Sequence, residues 1–335
     1  MLTAEKVEGI YWGIALGDAL GMPVEFKSIE DIRGIYGNEG IQNLPEKAIW
    51  TDDTQMTIAV TKTLLRLGKV EQIKDLNEDT IGKTFAEEFM NWLEDPGYAP
   101  GITTTRSVIF LTSNGANKWR LSGSNDSKGC GTVMRAAPLG IWFADSLSSE
   151  LSSIDGPYHT LLSNVSKIQS EITHGHKAAT AAALAGSYAV ALAINGVSPE
   201  DMIKPIEHYC NHIHPEFENA MQRLKVSLIK RNDRTFSTDL EALRDIGEGW
   251  VGDEAFAMAL YSAIQYPNDL KSCLRVSVNH DGDSDSVACI AGSILGAFHG
   301  ISIIPNIWID RLAEKKRMES LLREIVEFFE EFNII

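Results

Sequence analysis

Two short polar blocks concentrate carboxylates and hydroxyls at what read as helix starts. Thr51-Asp52-Asp53-Thr54 precedes the run Gln55 to Leu67, and Asp281-Gly282-Asp283-Ser284-Asp285-Ser286 precedes the apolar run Val287 to His299. If folding brings the blocks together they offer only oxygen donors, the set a hard divalent cation such as Mg²⁺ or Mn²⁺ prefers. Several carboxylates in one place repel one another unless a cation neutralises them. Asp, Ser and Thr are also preferred N-caps, and acids favour the positive end of a helix. A cap uses one side chain, however, and each block supplies three or more. The candidate metal ligands are Thr51, Asp52, Asp53, Asp283, Asp285 and Ser286. Gly282 suggests a turn that exposes backbone N–H groups.

These blocks resemble the paired metal-binding motifs of the ADP-ribosylglycohydrolase family. The likeness extends to Gly13-Ile14-Ala15-Leu16-Gly17-Asp18-Ala19-Leu20-Gly21 with Glu25 just after it, to Gly129-Cys130-Gly131-Thr132-Val133-Met134-Arg135-Ala136-Ala137-Pro138, and to Thr173-His174, all in the family's order. The resemblance implies a di-metal cleft holding two Mg²⁺ or Mn²⁺ ions. It also implies hydrolysis of the bond joining ADP-ribose to an acceptor, on an ADP-ribosylated protein or a small-molecule conjugate. One of Glu25, Asp52 and Asp53 would take the proton of the attacking water. Gly129, Gly131, Thr132 and His174 would contact substrate. The family more often carries Asn where Cys130 stands, and Thr where Ser286 stands. Gly and Thr are more usual at the positions of Asp281 and Ser284.

The Gly/Pro-rich stretch Pro96 to Arg106 opens a further helix, and its Gly101-Ile102-Thr103-Thr104-Thr105-Arg106 end is similar to the family's Gly-x-Thr-Thr-Arg element. Tyr98 is a candidate for stacking on a base or ribose. Some arginine-type members carry an Asp just before this element; Ala99 and Pro100 stand there here, which weakens an arginine assignment. Two other readings stay open: a non-catalytic ADP-ribose binder or structural member of the same fold, and a di-metal phosphohydrolase. Free ADP-ribose or inorganic phosphate as product separates the two enzymatic readings.

The elements that must position these residues are helical. Apolar periodicity predicts about a dozen helices, among them Ala4–Leu20, Thr54–Leu67, Thr103–Leu111, Thr132–Phe143, Gly175–Ile194, Asp253–Tyr266, Asp285–Phe298 and Asn306–Phe332. Runs with strand periodicity are nearly absent, so the class is all-α. Three helices rich in Ala and Gly would lie at the centre, and the two acidic blocks are expected at the ends of central, rigid helices. No linker divides the chain, which predicts one domain over residues 1–335. The segment from Ala144 to Ser170 reads as irregular and Ser-rich. His208, Cys210, His212 and His214 do not match a structural zinc spacing and read as a surface helix end.

Of 335 residues, 46 are Asp or Glu and 30 are Lys or Arg, for a formal net charge of −16. That balance disfavours a nucleic-acid backbone or an anionic membrane as partner. The four cysteines form no Cys-x-x-Cys pair and fit a reducing, cytoplasmic setting. The N-terminal stretch lacks a secretory pattern, since Glu5 and Glu8 precede its apolar part and Asp18 interrupts it. Ala178 to Ile194 falls short of the ~20 residues a membrane span needs and reads as a buried central helix.

Overall fold

In the computed structural model, residues 1–95, 97–150, 155–332 and 334–335 are described. Among them there are seventeen α-helices, five 3-10 turns and no strand. The chain begins with α1 (Ala4–Gly21), α2 (Ile29–Tyr36), α3 (Asp52–Leu67), α4 (Val70–Lys74), α5 (Glu78–Trp92) and α6 (Ile102–Asn114). It continues through α7 (Ala137–Ser148), α8 (Pro157–Glu171), α9 (Lys177–Ile194), α10 (Ile203–Cys210), α11 (Pro215–Asn232) and α12 (Asp239–Ile246). It ends with α13 (Gly252–Gln265), α14 (Leu270–Val278), α15 (Ser284–His299), α16 (Asn306–Ile309) and α17 (Lys315–Glu331).

The closest packing in the molecule joins α1 to α15. Gly9, Gly13, Gly17 and Gly21 recur every four residues, so they share one face of α1. A Cβ on Gly13 would lie 2.2 Å from the Gly292 carbonyl oxygen, and one on Gly292 would lie 2.1 Å from that of Gly13. Main chain therefore meets main chain, as only glycine permits. At the far end Gly21 abuts the Cα of Asp285. The seam thus delivers the start of α15 to the end of α1. The Ala-rich α9 is buried along its length and packs on α7, α13 and α15. Among the described residues two helices, Lys177–Ile194 and the one continuing to Ile303, are long and apolar enough to cross a membrane by composition. The apolar windows are 89% and 72% buried inside the protein, as core helices are.

The structure corrects several helix predictions. Thr132–Phe143 is not one helix: Cys130–Thr132 is a single 3-10 turn and α7 starts at Ala137, where Pro138 sits in the first turn. Asn306–Phe332 is interrupted because Ala48 pairs there. Its N–H donates to the Arg311 carbonyl, and Ala313 N–H donates back to Ala48. The stretch from Ala144 to Ser170 is largely helical, in α7 and α8. Pro157 starts the second of these, and its Leu162, Val165, Ile168 face is buried; residues 151–154 lie outside the described set. The short helices α2 and α4 have no counterpart among the predicted ones.

Candidate metal centre and cleft

The two acidic blocks meet. Ser286 Oγ donates to Asp53 Oδ1 at 2.9 Å. Asp18, Asp53 and Asp285 each bring a carboxylate oxygen within 4.8 Å of the others, and so do Glu25, Asp283 and Asp285. Asp285 belongs to both groups. All five carboxylates lie at or near the floor of a cleft of about 290 Å³, whose wall also includes Asp52, Cys130, Ser286 and His174. A larger cavity of about 640 Å³ between α1, α16 and α17 lies away from this cluster.

Local sequence fixes each group. Thr51 caps α3, accepting from Asp53 N–H at 3.3 Å, and its hydroxyl donates to Asp53 Oδ2 at 3.3 Å. Asp283 caps α15 by accepting from Ser286 N–H. Gly282 holds φ +113°, and a Cβ there would lie 2.0 Å from the Glu248 carbonyl oxygen, so the turn into Asp283 requires glycine. Asp52 Oδ2 accepts from Gly101 N–H at 3.0 Å, which ties α3 to the start of α6. Asp281 points elsewhere, accepting from Ile29 N–H and Arg244 Nε.

Asp18 is the residue the sequence reading left out of the site. Fully buried on α1, it accepts from the N–H groups of Thr51 (2.8 Å) and Thr54 (3.0 Å) and so binds the start of α3 to the seam. The signal was a lone acid in an apolar helix face. Electrostatics follow from the crowding. Burial first, then neighbouring carboxylates, push Glu25 up to about 8. Burial pushes Asp52 up to about 7 and Asp18 to about 6, with backbone hydrogen bonds opposing. Asp53 and Asp285 are raised well above the usual range, again by burial before mutual repulsion. A donor set of this kind, oxygen-rich and short of counter-charge, fits a divalent cation.

The cleft wall is held by single backbone bridges: Thr51 to Tyr98, Ser124 to His174, and Gly129 to Val251. His174 is buried; its Nδ1 pairs with Thr173 Oγ1 at 2.8 Å, and Arg135 donates to the same oxygen at 2.8 Å. Burial, then the Arg135 charge, pull His174 down to about 3, so its ring is neutral. Gly129 and Gly131 are needed for its approach: a Cβ on Gly129 would sit 3.0 Å from His174 Nε2, and one on Gly131 2.9 Å from its Cε1. Arg135 Nε and Nη2 are held by Gln169 and Thr173 and its guanidinium stacks on Phe89, while Nη1 has no hydrogen-bond partner among the described residues.

Two expected substrate contacts are placed differently. The Thr132 hydroxyl is fully buried and donates to the Ala179 carbonyl at 3.1 Å, away from the cleft wall. The helix expected to open at Gly131 is only a 3-10 turn; the helix start that does face the cleft is that of α6, at Gly101–Thr104. Tyr98 is 58% exposed and its carbonyl accepts from Asp52 N–H, so its main chain rather than its ring supports the site. Pro96 lies outside the described residues. Thr51 is buried beneath the cleft, its hydroxyl donating to Asp53 and its N–H to Asp18. Phe26, unforeseen, is 69% exposed with φ +62° and stacks on Trp250 at 5.2 Å, both on the cleft wall.

Among His208, Cys210, His212 and His214, only His214 meets other candidate ligands, His176 and Glu216. Both His176 and His214 cap helices, accepting a backbone N–H at Nδ1, which leaves the ring hydrogen on Nε2. Lys128 holds Glu216 at 2.8 Å. His176 and His214 are therefore helix caps.

A model of the ADP-ribosylglycohydrolase family matches residues 2–333. The chain belongs to the ADP-ribosylglycohydrolase family. A protein of Archaeoglobus fulgidus described as uncharacterised is 29% identical over 96% of each chain. The ADP-ribosyl-[dinitrogen reductase] glycohydrolase of Rhodospirillum rubrum is 26% identical, over 94% of this chain and 92% of its own. A solved structure described as an ADP-ribosylglycohydrolase-related protein complex superposes with a TM-score of 0.68 at 22% identity, covering 97% of this chain and 98% of that one. Fold and family therefore agree, and family membership carries glycohydrolase chemistry on ADP-ribosyl groups as its general assignment.

Proposed function

We propose that the whole chain, residues 1–335, is one unit that hydrolyses the glycosidic bond between ADP-ribose and a modified acceptor, with two divalent cations, Mg²⁺ or Mn²⁺. The observation that carries this reading is the pair of carboxylate triads sharing Asp285 on the floor of one cleft. Asp18, Asp53 and Asp285 would hold one ion and Glu25, Asp283 and Asp285 the other, with Ser286, Thr51 and Asp52 completing the surroundings. Bound there, the cations supply positive charge that orients ribose hydroxyls and acidifies water.

The chain's own groups do the rest. Glu25 stands on a turn, half-buried, and faces the cleft. Asp53 is committed to Ser286 and Thr51, and Asp52 to Gly101. Glu25, which faces the cleft from a turn at the edge of its triad, is assigned the water's proton. Positive charge grows at the anomeric carbon as the acceptor departs, and Asp52 and Asp283 stabilise it. The uncapped N–H groups at the start of α6 receive the pyrophosphate, and Gly129, Gly131 and neutral His174 line the ribose side. The acceptor is carried by an ADP-ribosylated protein or a small conjugate, met in the cytoplasm.

Incubation with arginine-linked and serine-linked ADP-ribosylated proteins, with Mg²⁺ or with EDTA, tests this. Release of ADP-ribose that EDTA abolishes is the expected result. Release of inorganic phosphate would make the protein a phosphohydrolase, and no product from any conjugate would leave a non-catalytic binder.

A further inference from the structure

We infer that Thr173, held by the buried Arg135, is a positioning residue that locks His174 as the tautomer with its hydrogen on Nε2, so that the ring presents a fixed hydrogen-bond donor to an acceptor oxygen of the ligand. The ligand named here rests on the ADP-ribose reading above; the lock itself does not. A neutral imidazole carries one N–H and one lone pair, and the partner of one nitrogen decides which is which. His174 Nδ1 lies 2.8 Å from Thr173 Oγ1. That oxygen has one proton to give and two lone pairs to fill. Arg135 Nη2, which can only donate, fills one lone pair at 2.8 Å. The proton has two acceptors in reach, Nδ1 at 2.8 Å and the Ser170 carbonyl at 3.4 Å. That carbonyl already receives the N–H groups of Thr173 at 3.1 Å and of His174 at 2.8 Å, one for each of its lone pairs. The Thr173 proton therefore goes to Nδ1, and the ring hydrogen is left on Nε2.

The relay is anchored along its length. Arg135 is fully buried and donates from Nε to Gln169 Oε1 at 2.8 Å and from Nη2 to the Gln169 carbonyl at 2.7 Å. Gln169 Nε2 donates in turn to the Thr132 carbonyl at 3.1 Å, and the guanidinium stands 4.5 Å from the Phe89 ring centroid. The main chain on either side of His174 is pinned to Ser124, whose N–H donates to the Thr173 carbonyl and whose carbonyl accepts from Gly175 N–H. At the open end His174 is 4% exposed and lines the cleft, and among the described residues nothing accepts from its Nε2. Gly129 and Gly131 pack on that edge of the ring and bring no side chain to it. A buried donor left without a partner costs free energy, so this N–H is satisfied by what enters the cleft. A ribose or phosphate oxygen meets that demand; an ammonium or guanidinium group has no lone pair to offer it.

Long-range ¹H–¹⁵N spectra of the full-length chain test the lock, with His174→Gln to identify the peaks. A locked ring shows its two nitrogens at the full separation of a single tautomer, and a ring exchanging between tautomers shows a smaller, averaged separation. Wild type should show the full separation with the hydrogen on Nε2. Thr173→Val should show the averaged one, and Thr173→Ser, which keeps the hydroxyl, should restore the lock. Calorimetric titration with ADP-ribose and Mg²⁺ should give binding roughly fivefold weaker in Thr173→Val and near wild type in Thr173→Ser. Hydrogen on Nδ1 in the wild type, or full separation surviving in Thr173→Val, overturns the lock whatever the cleft binds. ADP-ribose that binds the wild type and leaves the Nε2 resonance unmoved overturns the contact. ADP-ribose that does not bind overturns the reading of the cleft and the ligand assigned here, while the spectra of the unaltered chain still decide the lock without any variant having to fold.

Discussion

The seam between α1 and α15 and the rim of the cleft serve one site by opposite means. The seam is main chain against main chain, glycine facing glycine, with no side chain to adjust. The rim is made of turns, single bridges and exposed rings such as Tyr98 and Phe26. The seam carries Asp18 and Asp285, and Glu25 follows it by a few residues. Carboxylates that must share cations need positions fixed to a fraction of an ångström, which packed helices give and turns do not. On the proposed function, the rim has the looser task of recognising whatever carries the ADP-ribose.

The comparison breaks first at the seam. Gly292→Val puts a branched side chain where even a Cβ would stand 2.1 Å from the Gly13 carbonyl oxygen. The backbone must move, and the expected cost exceeds about 4 kcal/mol, enough to unfold many domains. Far-UV circular dichroism and urea unfolding measure it; a cost near 1 kcal/mol would show that the helices can slide apart.

Asp285→Asn attacks the chemistry without the packing. Loss of a shared ligand should lower hydrolysis by at least about a hundredfold, more than outer-shell changes do. The metal-free protein should melt no lower than wild type, because one repelling carboxylate is gone. Kinetics and a melt on one sample decide this; a lower metal-free midpoint with normal turnover would make Asp285 a structural residue.

Much of this was legible in the sequence, and the reasons differ by region. The acidic blocks stood out because both overload a helix start, and the glycines of α1 and α15 stood out by composition. Asp18 escaped because a single buried acid in an apolar face gives no periodic signal; its task, accepting the Thr51 and Thr54 N–H groups, exists only once α3 is in place. Thr132 was expected at the cleft from the family resemblance of its motif, but in the 3-10 turn its hydroxyl points inward to the Ala179 carbonyl. The Phe26–Trp250 stack joins residues far apart in the chain, and neither alone is distinctive.

A pH series sharpens the same contrast. Asp18, Asp52 and Glu25 are raised to about 6, 7 and 8, burial being the largest cause in each. Between pH about 4, where they titrate in the unfolded chain, and pH about 8, the folded protein holds protons that the unfolded chain has released. Metal-free stability should therefore fall as pH rises through that window, and saturating Mg²⁺ should remove the fall. Melting midpoints at pH 5 and pH 8, with EDTA and with Mg²⁺, check it; a midpoint rising with pH in EDTA would contradict the crowding.

The smallest effects belong to the rim. Tyr98→Ala keeps the carbonyl that accepts from Asp52 N–H, so kcat should change little and KM by a few-fold at most. Thr132→Val removes one buried hydrogen bond, with a stability loss of about 1 kcal/mol and an unchanged KM. A large rise in KM for Thr132→Val would return that residue to the substrate.

The most direct test of the central claim is Mn²⁺ titration followed by electron paramagnetic resonance. Two triads sharing Asp285 predict two ions per chain with a spin-coupled spectrum, which Asp285→Asn abolishes. A spectrum of free aqueous Mn²⁺ alone at millimolar concentration, or a single uncoupled ion that survives Asp285→Asn, would contradict the shared centre.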